Sequence, residues 1–194
     1  MTRDEQYQHY TDLIRKWKDV VNLTAITDPD EIKIKHFEDS KAVIPFLRSA
    51  RSLIDIGSGA GFPGIPIKIE CPQIHVVLLD SNRKKVNFLR QVIFELGLTG
   101  IEAIQGRAED PEIFRTKGPF DAVVSRATWP LEIFLELAEP YYGQGDSCIA
   151  MKGPRWKIEL KAAESVIKKY GLKLAQTHPY SLGKESRTLL IFGK

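Results

Sequence analysis

The sequence predicts an α/β protein: a mostly parallel sheet of seven strands that ends in an antiparallel hairpin, with helices on both faces and a short N-terminal helical extension. Three observations carry this reading. From Leu53 onward, short apolar runs alternate with helix-like stretches, the pattern of successive βαβ units. The first run is followed by a glycine-rich turn, I-G-S-G-A-G-F-P-G at 56–64, at the place where doubly wound sheets take a ligand. The chain closes on two strand-like stretches, 172–180 and 187–194, and such mixed sheets accept an antiparallel strand at one end.

The elements follow in order. Residues 5–22 place Tyr7, Tyr10, Leu13, Ile14, Trp17, Val20 and Val21 at helical spacing, predicting an amphipathic helix. D-P-D-E at 28–31 starts a second helix running toward Ser40: Asp28 caps, Pro29 suits the first turn, and Asp30 and Glu31 meet the positive end of the dipole. A further segment continues to Leu47. Strands are expected at Leu53–Ile56, Val76–Asp80, Ile101–Gln105, Phe120–Ser125 and Asp146–Met151, with helices at Pro63–Glu70, Lys84–Leu96, Leu131–Leu137 and Lys157–Tyr170. The two closing strands are expected to be joined by a polar loop. The division is N-terminal helices at 1–48 packed on a domain at 49–194, one domain overall.

Composition narrows the class. The chain has 194 residues, 43% hydrophobic and 27% charged, enough for one well-formed core and unlike a disordered chain. Apolar runs such as Val76-Val77-Leu78-Leu79 fall far short of the roughly 20 residues that span a bilayer. The polar start M-T-R-D-E-Q lacks the apolar core of a secretory signal, so a cytoplasmic location and no membrane association are expected. Cys71 and Cys148 lie far apart and form no metal-ligand spacing, so free thiols and no metal are expected. A net charge of +3 permits an acidic partner such as RNA without demanding one.

The glycine loop carries the first chemical information. G-A-G-F-P-G satisfies the dinucleotide spacing GxGxxG when read from Gly59, so spacing alone leaves the ligand open. Chemistry separates the alternatives. A pyrophosphate needs free N–H groups at the helix start, and Pro63 removes one. Asp55 adds a carboxylate at the loop entrance, which disfavours a phosphate and suits a cationic ligand. Asp80, at the end of V-V-L-L-D, is placed to accept the hydroxyls of an adenosine ribose. The pattern D-x-G-x-G-x-G from Asp55 through Gly57 and Gly59 resembles the first motif of the class I methyltransferases, whose Rossmann-like fold and cofactor S-adenosylmethionine (product S-adenosylhomocysteine) it implies.

Further strings make the resemblance specific: N-L-T at 22–24, K-H-F-E-D-S at 35–40, L-L-D-S at 78–81, K-K-V-N-F-L-R-Q-V at 84–92, F-D-A-V-V-S-R-A at 120–127 and M-K-G at 151–153. With the glycine loop they closely resemble the bacterial 16S ribosomal RNA guanine-N7 methyltransferases, the glucose-inhibited division protein B family, from about Tyr10 to the end. The resemblance implies methylation of a guanine in the 530 loop of 16S RNA, with 16S RNA or the 30S subunit as partner; a monomer is expected. It assigns Gly57 and Phe62 to the cofactor loop, Asp80 and Ser81 to the ribose, Ala108 and Glu109 to the adenine, and Arg126 to the mouth of the site. Ser58 fits the family pattern, whereas Phe62 stands where a leucine is usual, and the N-terminus is short for the family.

The chemistry agrees with the absence of an obvious base. Guanine N7 is a free lone pair without a proton, so in-line attack on a sulfonium methyl needs positioning rather than deprotonation. A cytosine-C5 enzyme needs a cysteine nucleophile, and neither Cys71 nor Cys148 is suitably placed; an adenine-N6 enzyme needs D/N-P-P-Y/F where S-R-A-T-W-P stands. Cations gather after the strand ends, at Arg83, Lys84 and Lys85, at Arg126, and at Lys152, Arg155 and Lys157. A donor on N7 would block its attack, so Arg126 and Lys152 are the candidate catalytic residues, holding O6 or phosphates. Arg83, Lys84 and His36 are candidate substrate contacts, and Trp129 could stack a splayed base. Three rival readings are a class I methyltransferase acting on another RNA, a small molecule or a protein, an NAD-type oxidoreductase, and an RNA-binding module with a relic loop. The basic strand ends, Pro63 with Asp55, and the intact loop argue against them in turn.

Overall fold

The computed structural model describes residues 1–194 except Asp19, Arg48 and Gln144. Helix α1 (Arg3–Trp17) starts earlier than its apolar spacing indicates, because Thr2 and Glu5 form a reciprocal capping box. It also stops earlier. Val20 and Val21 both turn back on the carbonyl of Trp17 and fall outside it, and the rest of the expected helix passes through Asp19, outside the described residues. The second helix begins as expected, with Asp28 accepting from Glu31 N–H and Pro29 in the first turn. It is one helical run in three parts: α2 (Pro29–Ile32), a π-helical stretch Lys33–Glu38, and α3 (Asp39–Lys41). Mid-helix π geometry concentrates at functional sites. A 3-10 turn follows at Ile44–Phe46.

The sheet comprises β1 (Ser52–Ile56), β2 (His75–Asp80), β3 (Ile101–Gln105), β4 (Ala122–Arg126), β5 (Ser147–Lys152), β6 (Lys173–Leu182) and β7 (Glu185–Gly193), in the order β3-β2-β1-β4-β5-β7-β6. The first five strands pair in parallel, and β7 inserts antiparallel between β5 and β6. The order therefore reverses between β1 and β4, and the glycine loop leaves β1 at that switch point. Asp121 fastens the start of this pair: its carboxylate accepts from the N–H groups of Arg51 and Ser52 and from the Ser52 hydroxyl.

The crossovers are α4 (Gly64–Glu70), α5 (Arg83–Glu95), α6 (Pro111–Lys117), α7 (Leu131–Ala138), α8 (Trp156–Ala162) and α9 (Glu164–Lys169). Alternate side chains of β1 divide between two cores. Leu53 joins Tyr10, Leu13, Ile14, Phe37, Phe62 and Phe88 on one face; Ile54 and Ile56 join Phe134, Leu135, Tyr141 and Phe192 on the other. The N-terminal helices thus share a core with α4 and α5. Helix α6 was absent from the sequence expectation, although Asp110-Pro111 repeats the Asp28-Pro29 start signal and Asp110 accepts from Glu112 N–H. The expected helix over 157–170 is two helices broken at Ala163. The expected polar loop before the last strand is instead a two-residue turn, because Leu182 pairs directly with Glu185 and Gly183 takes φ +60°. Among the described residues no helix is long and apolar enough to cross a membrane.

Candidate active site

The glycine loop owes its shape to backbone that only glycine adopts easily. Gly57, Gly59 and Gly61 take φ +71°, +59° and +95°. The loop is stitched down by its own amides. Gly57 and Ser58 N–H both donate to Leu79 O, Gly59 N–H to Asp80 Oδ2, and Gly61 and Phe62 N–H to Ser58 O. From the N-terminal side the buried Tyr10 hydroxyl donates to Ala60 O.

The start of α4 offers no anion cradle. Gly64 N–H donates to Asp55 Oδ2 at 3.0 Å, Ile65 N–H to Gly61 O, and Ile67 N–H to Pro63 O, while Pro66 has no N–H. Asp55 therefore does not line a cleft, as its place at the loop entrance had led us to expect. It is fully buried beneath the loop, and its Oδ1 has no hydrogen-bond partner among the described residues. Burial pushes its pKa up to about 7, against the pull of the Gly64 amide.

Two cavities meet over this loop. The first, of about 530 Å³, is lined by Gly57, Asp80, Ser81, Ala108, Glu109 and Trp129, among others. Asp80 is held from both ends, Oδ2 by Gly59 N–H and Oδ1 by Asn82 N–H at 2.8 Å, and each oxygen keeps a lone pair for another donor. The Tyr141 hydroxyl fixes the far wall by donating to Ala108 O at 2.9 Å, and exposed Glu109 turns to Arg107. A Cβ on Gly57 would come within 2.7 Å of Thr128 Cγ2 and 2.8 Å of Trp129 Cη2. Trp129, the candidate for stacking a splayed base, lines the first cavity and not the second.

The second cavity, of about 740 Å³, includes Thr24, His36, Asp39, Phe62, Arg126 and Lys152 in its wall. Gly57, Asp80, Lys85 and Thr128 border both cavities, so the two adjoin. Arg126 leaves the end of β4 and lies 4.9 Å over the Phe62 ring. Its Nη1 donates to Asp39 Oδ2 and to Lys35 O, both at 3.0 Å. The His36 ring stacks on Phe62 at 4.5 Å. Its pKa is pushed down to about 4, first by burial and then by Arg126, so it is a neutral ring at pH 7.

Several expected contacts are placed differently. Lys152 is 6% exposed and spends its ammonium inside the protein, on Trp129 O at 2.7 Å and Glu159 Oε2 at 2.8 Å, where Glu159 also accepts from Leu131 N–H. It ties β5 to α7 and α8 rather than standing as a free cation. Arg83 and Lys84 are exposed at the start of α5 and line neither cavity; Lys85, the next residue, lines both. Thr24, Asp39 and Tyr180 were not expected at the site, although N-L-T and K-H-F-E-D-S had drawn notice as strings. Nothing local in the sequence marks Tyr180.

Comparison with known proteins agrees with this geometry. The family model described as rRNA small subunit methyltransferase G matches residues 3–189. A ribosomal RNA small subunit methyltransferase G of Clostridium novyi is 45% identical over 177 residues, covering 88% of this chain and 72% of that protein. Its namesake in Desulfitobacterium hafniense is 40% identical, covering 94% and 76%, and that of Lachnoclostridium phytofermentans 41%, covering 98% and 81%. Among solved structures, a SAM-dependent methyltransferase from Aquifex aeolicus matches with TM-score 0.62 and 18% identity over 86% of this chain and 94% of its own. A precorrin-6y C5,15-methyltransferase from Geobacter metallireducens matches with TM-score 0.59 and 14% identity, covering 81% and 88%. These two show that the fold is that of the class I methyltransferases.

Proposed function

The chain belongs to the rRNA small subunit methyltransferase G family, and from that premise we propose that it methylates N7 of a guanine in the 530 loop of 16S RNA. It is an S-adenosylmethionine-dependent rRNA methyltransferase. The observation that carries the finer reading is the pair of adjoining cavities, one suited to an adenosine and one open to a purine, meeting over a loop whose following helix has no free amide at its start. S-adenosylmethionine, when bound, supplies an electrophilic methyl group on a sulfonium.

The residues fit that ligand. In our reading Asp80 accepts the ribose hydroxyls, with Ser81 beside it, and the Ala108–Glu109 loop meets the adenine edge. The loop at Gly57, Gly59 and Phe62 brings backbone against the methionine portion, and Gly57 cannot carry a side chain without displacing Trp129. The base enters the second cavity against Phe62 and His36, with Arg126 donating to O6 or a phosphate and leaving N7 free. No group need remove a proton, and His36, neutral and tied to its neighbours, is a wall rather than a base. The work of the site is alignment. A base inside a duplex cannot reach this cavity, so the target guanine is unpaired or flipped out. We place the enzyme in the cytoplasm as a monomer.

The test is incubation with labelled S-adenosylmethionine and 30S subunits, followed by aniline cleavage at N7-methylguanine. Cleavage at one guanine of the 530 loop is expected; label elsewhere, or none, overturns the reading.

A further inference from the structure

One wall of the second cavity carries a continuous polar chain that neither the cofactor nor an N7 nucleophile requires. Thr24 Oγ1 accepts from Ile26 N–H and lies 2.9 Å from His36 Nε2. His36 Nδ1 lies 3.1 Å from Arg126 Nη2, which can only donate. Nδ1 lies at the same 3.1 Å from the Lys35 carbonyl, so the ring joins Thr24 to Arg126 and to the helical backbone whichever nitrogen carries the proton. Arg126 Nη1 reaches Asp39 Oδ2, and Asp39 Oδ1 accepts from the Tyr180 hydroxyl at 2.6 Å. The chain joins the N-terminal segment, the helical run 29–41, the end of β4 and strand β6.

Asp39 is the centre of this chain. It is 3% exposed, both of its oxygens are engaged, and it is the carboxylate in ion-pair contact with Arg126 among the described residues. The other carboxylates around the cavity are committed elsewhere. Asp80 is held by Gly59 and Asn82, Asp55 lies beneath the loop, and Glu185 pairs with Arg187. We propose that Asp39 is a positioning residue for methyl transfer: it cancels the charge of Arg126 and fixes its guanidinium over Phe62, with Tyr180 holding Asp39 in turn. This inference rests on the N7 reading above.

The reaction explains why cancelling that charge matters. Attack by N7 forms an N–CH₃ bond as the S–CH₃ bond breaks, and the sulfur keeps the bonding pair. One positive charge passes from sulfur to purine, and no proton moves. A bare guanidinium in the cavity that takes the base would repel the purine increasingly as the charge arrives on it. Paired with Asp39, Arg126 keeps its donors and its orientation without a net charge.

Two substitutions separate charge from anchoring. Asp39→Asn keeps an acceptor for Arg126 and an amide for the Tyr180 oxygen, so it removes charge alone. Tyr180→Phe keeps the ion pair and removes the anchor. Both are assayed on 30S subunits, with kcat and KM for S-adenosylmethionine measured separately, alone and combined with Arg126→Lys. Asp39→Asn is expected to lower kcat at least about tenfold with KM for S-adenosylmethionine within about twofold, and Tyr180→Phe to lower kcat less. Neither should add to Arg126→Lys in full, since both act through Arg126. A kcat for Asp39→Asn within about twofold of wild type, or losses that multiply fully with Arg126→Lys, overturns the proposal. Should Asp39→Asn fail to fold, the Tyr180→Phe cycle decides alone by the same non-additivity. Methylation at another position by the wild type would sink the substrate reading and leave this cycle interpretable; wild-type methylation as proposed with additive variants sinks the inference.

Discussion

Asp55→Asn tests whether the glycine loop rests on a protonated carboxyl. Asp55 is fully buried, one oxygen is satisfied by Gly64 N–H, and the other has no partner among the described residues. Burial raises its pKa from 3.8 to about 7. The folded protein therefore holds this proton more tightly than the unfolded chain does. The resulting stability is fully present below about pH 4 and is lost as pH rises through about 7. A rise of about three units corresponds to roughly 4 kcal/mol in all. His36 works in the opposite sense. Its pKa falls from 6.5 to about 4, so its contribution is present above 6.5 and lost as pH falls toward 4. The two oppose each other across most of the acid range, and the wild-type profile alone mixes them. The difference between wild type and Asp55→Asn isolates Asp55, because asparagine keeps an acceptor for Gly64 and does not titrate. In urea unfolding from pH 5 to pH 8, Asp55→Asn is expected to gain about 2–3 kcal/mol relative to wild type. A difference that stays flat across that range refutes a raised pKa at Asp55.

Other expectations follow from single contacts. Gly57→Ala should abolish measurable S-adenosylhomocysteine binding, since its Cβ would stand 2.7 Å from Thr128 and 2.8 Å from Trp129. Gly59→Ala, whose added Cβ would meet nothing nearer than Gly57 O at 3.9 Å, should cost only the backbone strain of about 1–2 kcal/mol and bind far better; calorimetry separates the two. Lys152→Met should lower unfolding stability by about 1–3 kcal/mol because Glu159 and Trp129 O lose their donor, whereas a phosphate-contacting lysine would leave stability alone and weaken RNA binding instead. In salt titrations of binding to 16S RNA, Lys85→Ala should flatten the log–log slope by about one while Lys84→Ala leaves it nearly unchanged; the reverse would return the contact to Lys84.

How much of this was legible depends on the range of the signal. The strands announced themselves locally, as apolar runs ending in Asp80 or in the glycine loop, and the switch point followed from their order. Helix α6 was equally legible, and its Asp-Pro start went unread. The site divides the same way. Asp80, Ser81, Ala108 and Glu109 sit in loops that a strand-end rule finds, and they line one cavity. The choice of Lys85 over Arg83 and Lys84 depends on helix phase, which one residue of uncertainty at the start of α5 is enough to lose. The polar chain was out of reach. Arg126 meets Asp39 across 87 residues and Asp39 meets Tyr180 across 141, and no periodicity or capping rule connects such positions. Lys152 differs for the opposite reason: the sequence puts it just past a strand ending at Met151, among exposed cations, whereas it is the last residue of β5 and pairs with Glu159 of α8.

The loop itself shows why spacing of glycines is a weaker guide than donor accounting. A dinucleotide loop and this one share the need for positive φ and close backbone approach, and both can satisfy GxGxxG. They differ in what remains unpaired. A pyrophosphate is held by the orphan amides at a helix start, the four groups that an α-helix leaves without an internal acceptor. In this chain Asp55 takes the amide of Gly64, Gly61 and Pro63 take those of Ile65 and Ile67, and Pro66 has none. The macrodipole is thereby met by a carboxyl from below before any ligand arrives. The carboxylate at the junction of the two cavities is that of Asp80, an acceptor, and the Lys85 side chain borders the same junction from the start of α5. A loop whose helix-start amides are spent on the protein and whose neighbouring carboxylate has lone pairs to offer favours hydroxyls over a phosphate. The ribose hydroxyls of an adenosine meet Asp80 on those terms, whereas a pyrophosphate finds its usual helix-start donors already taken.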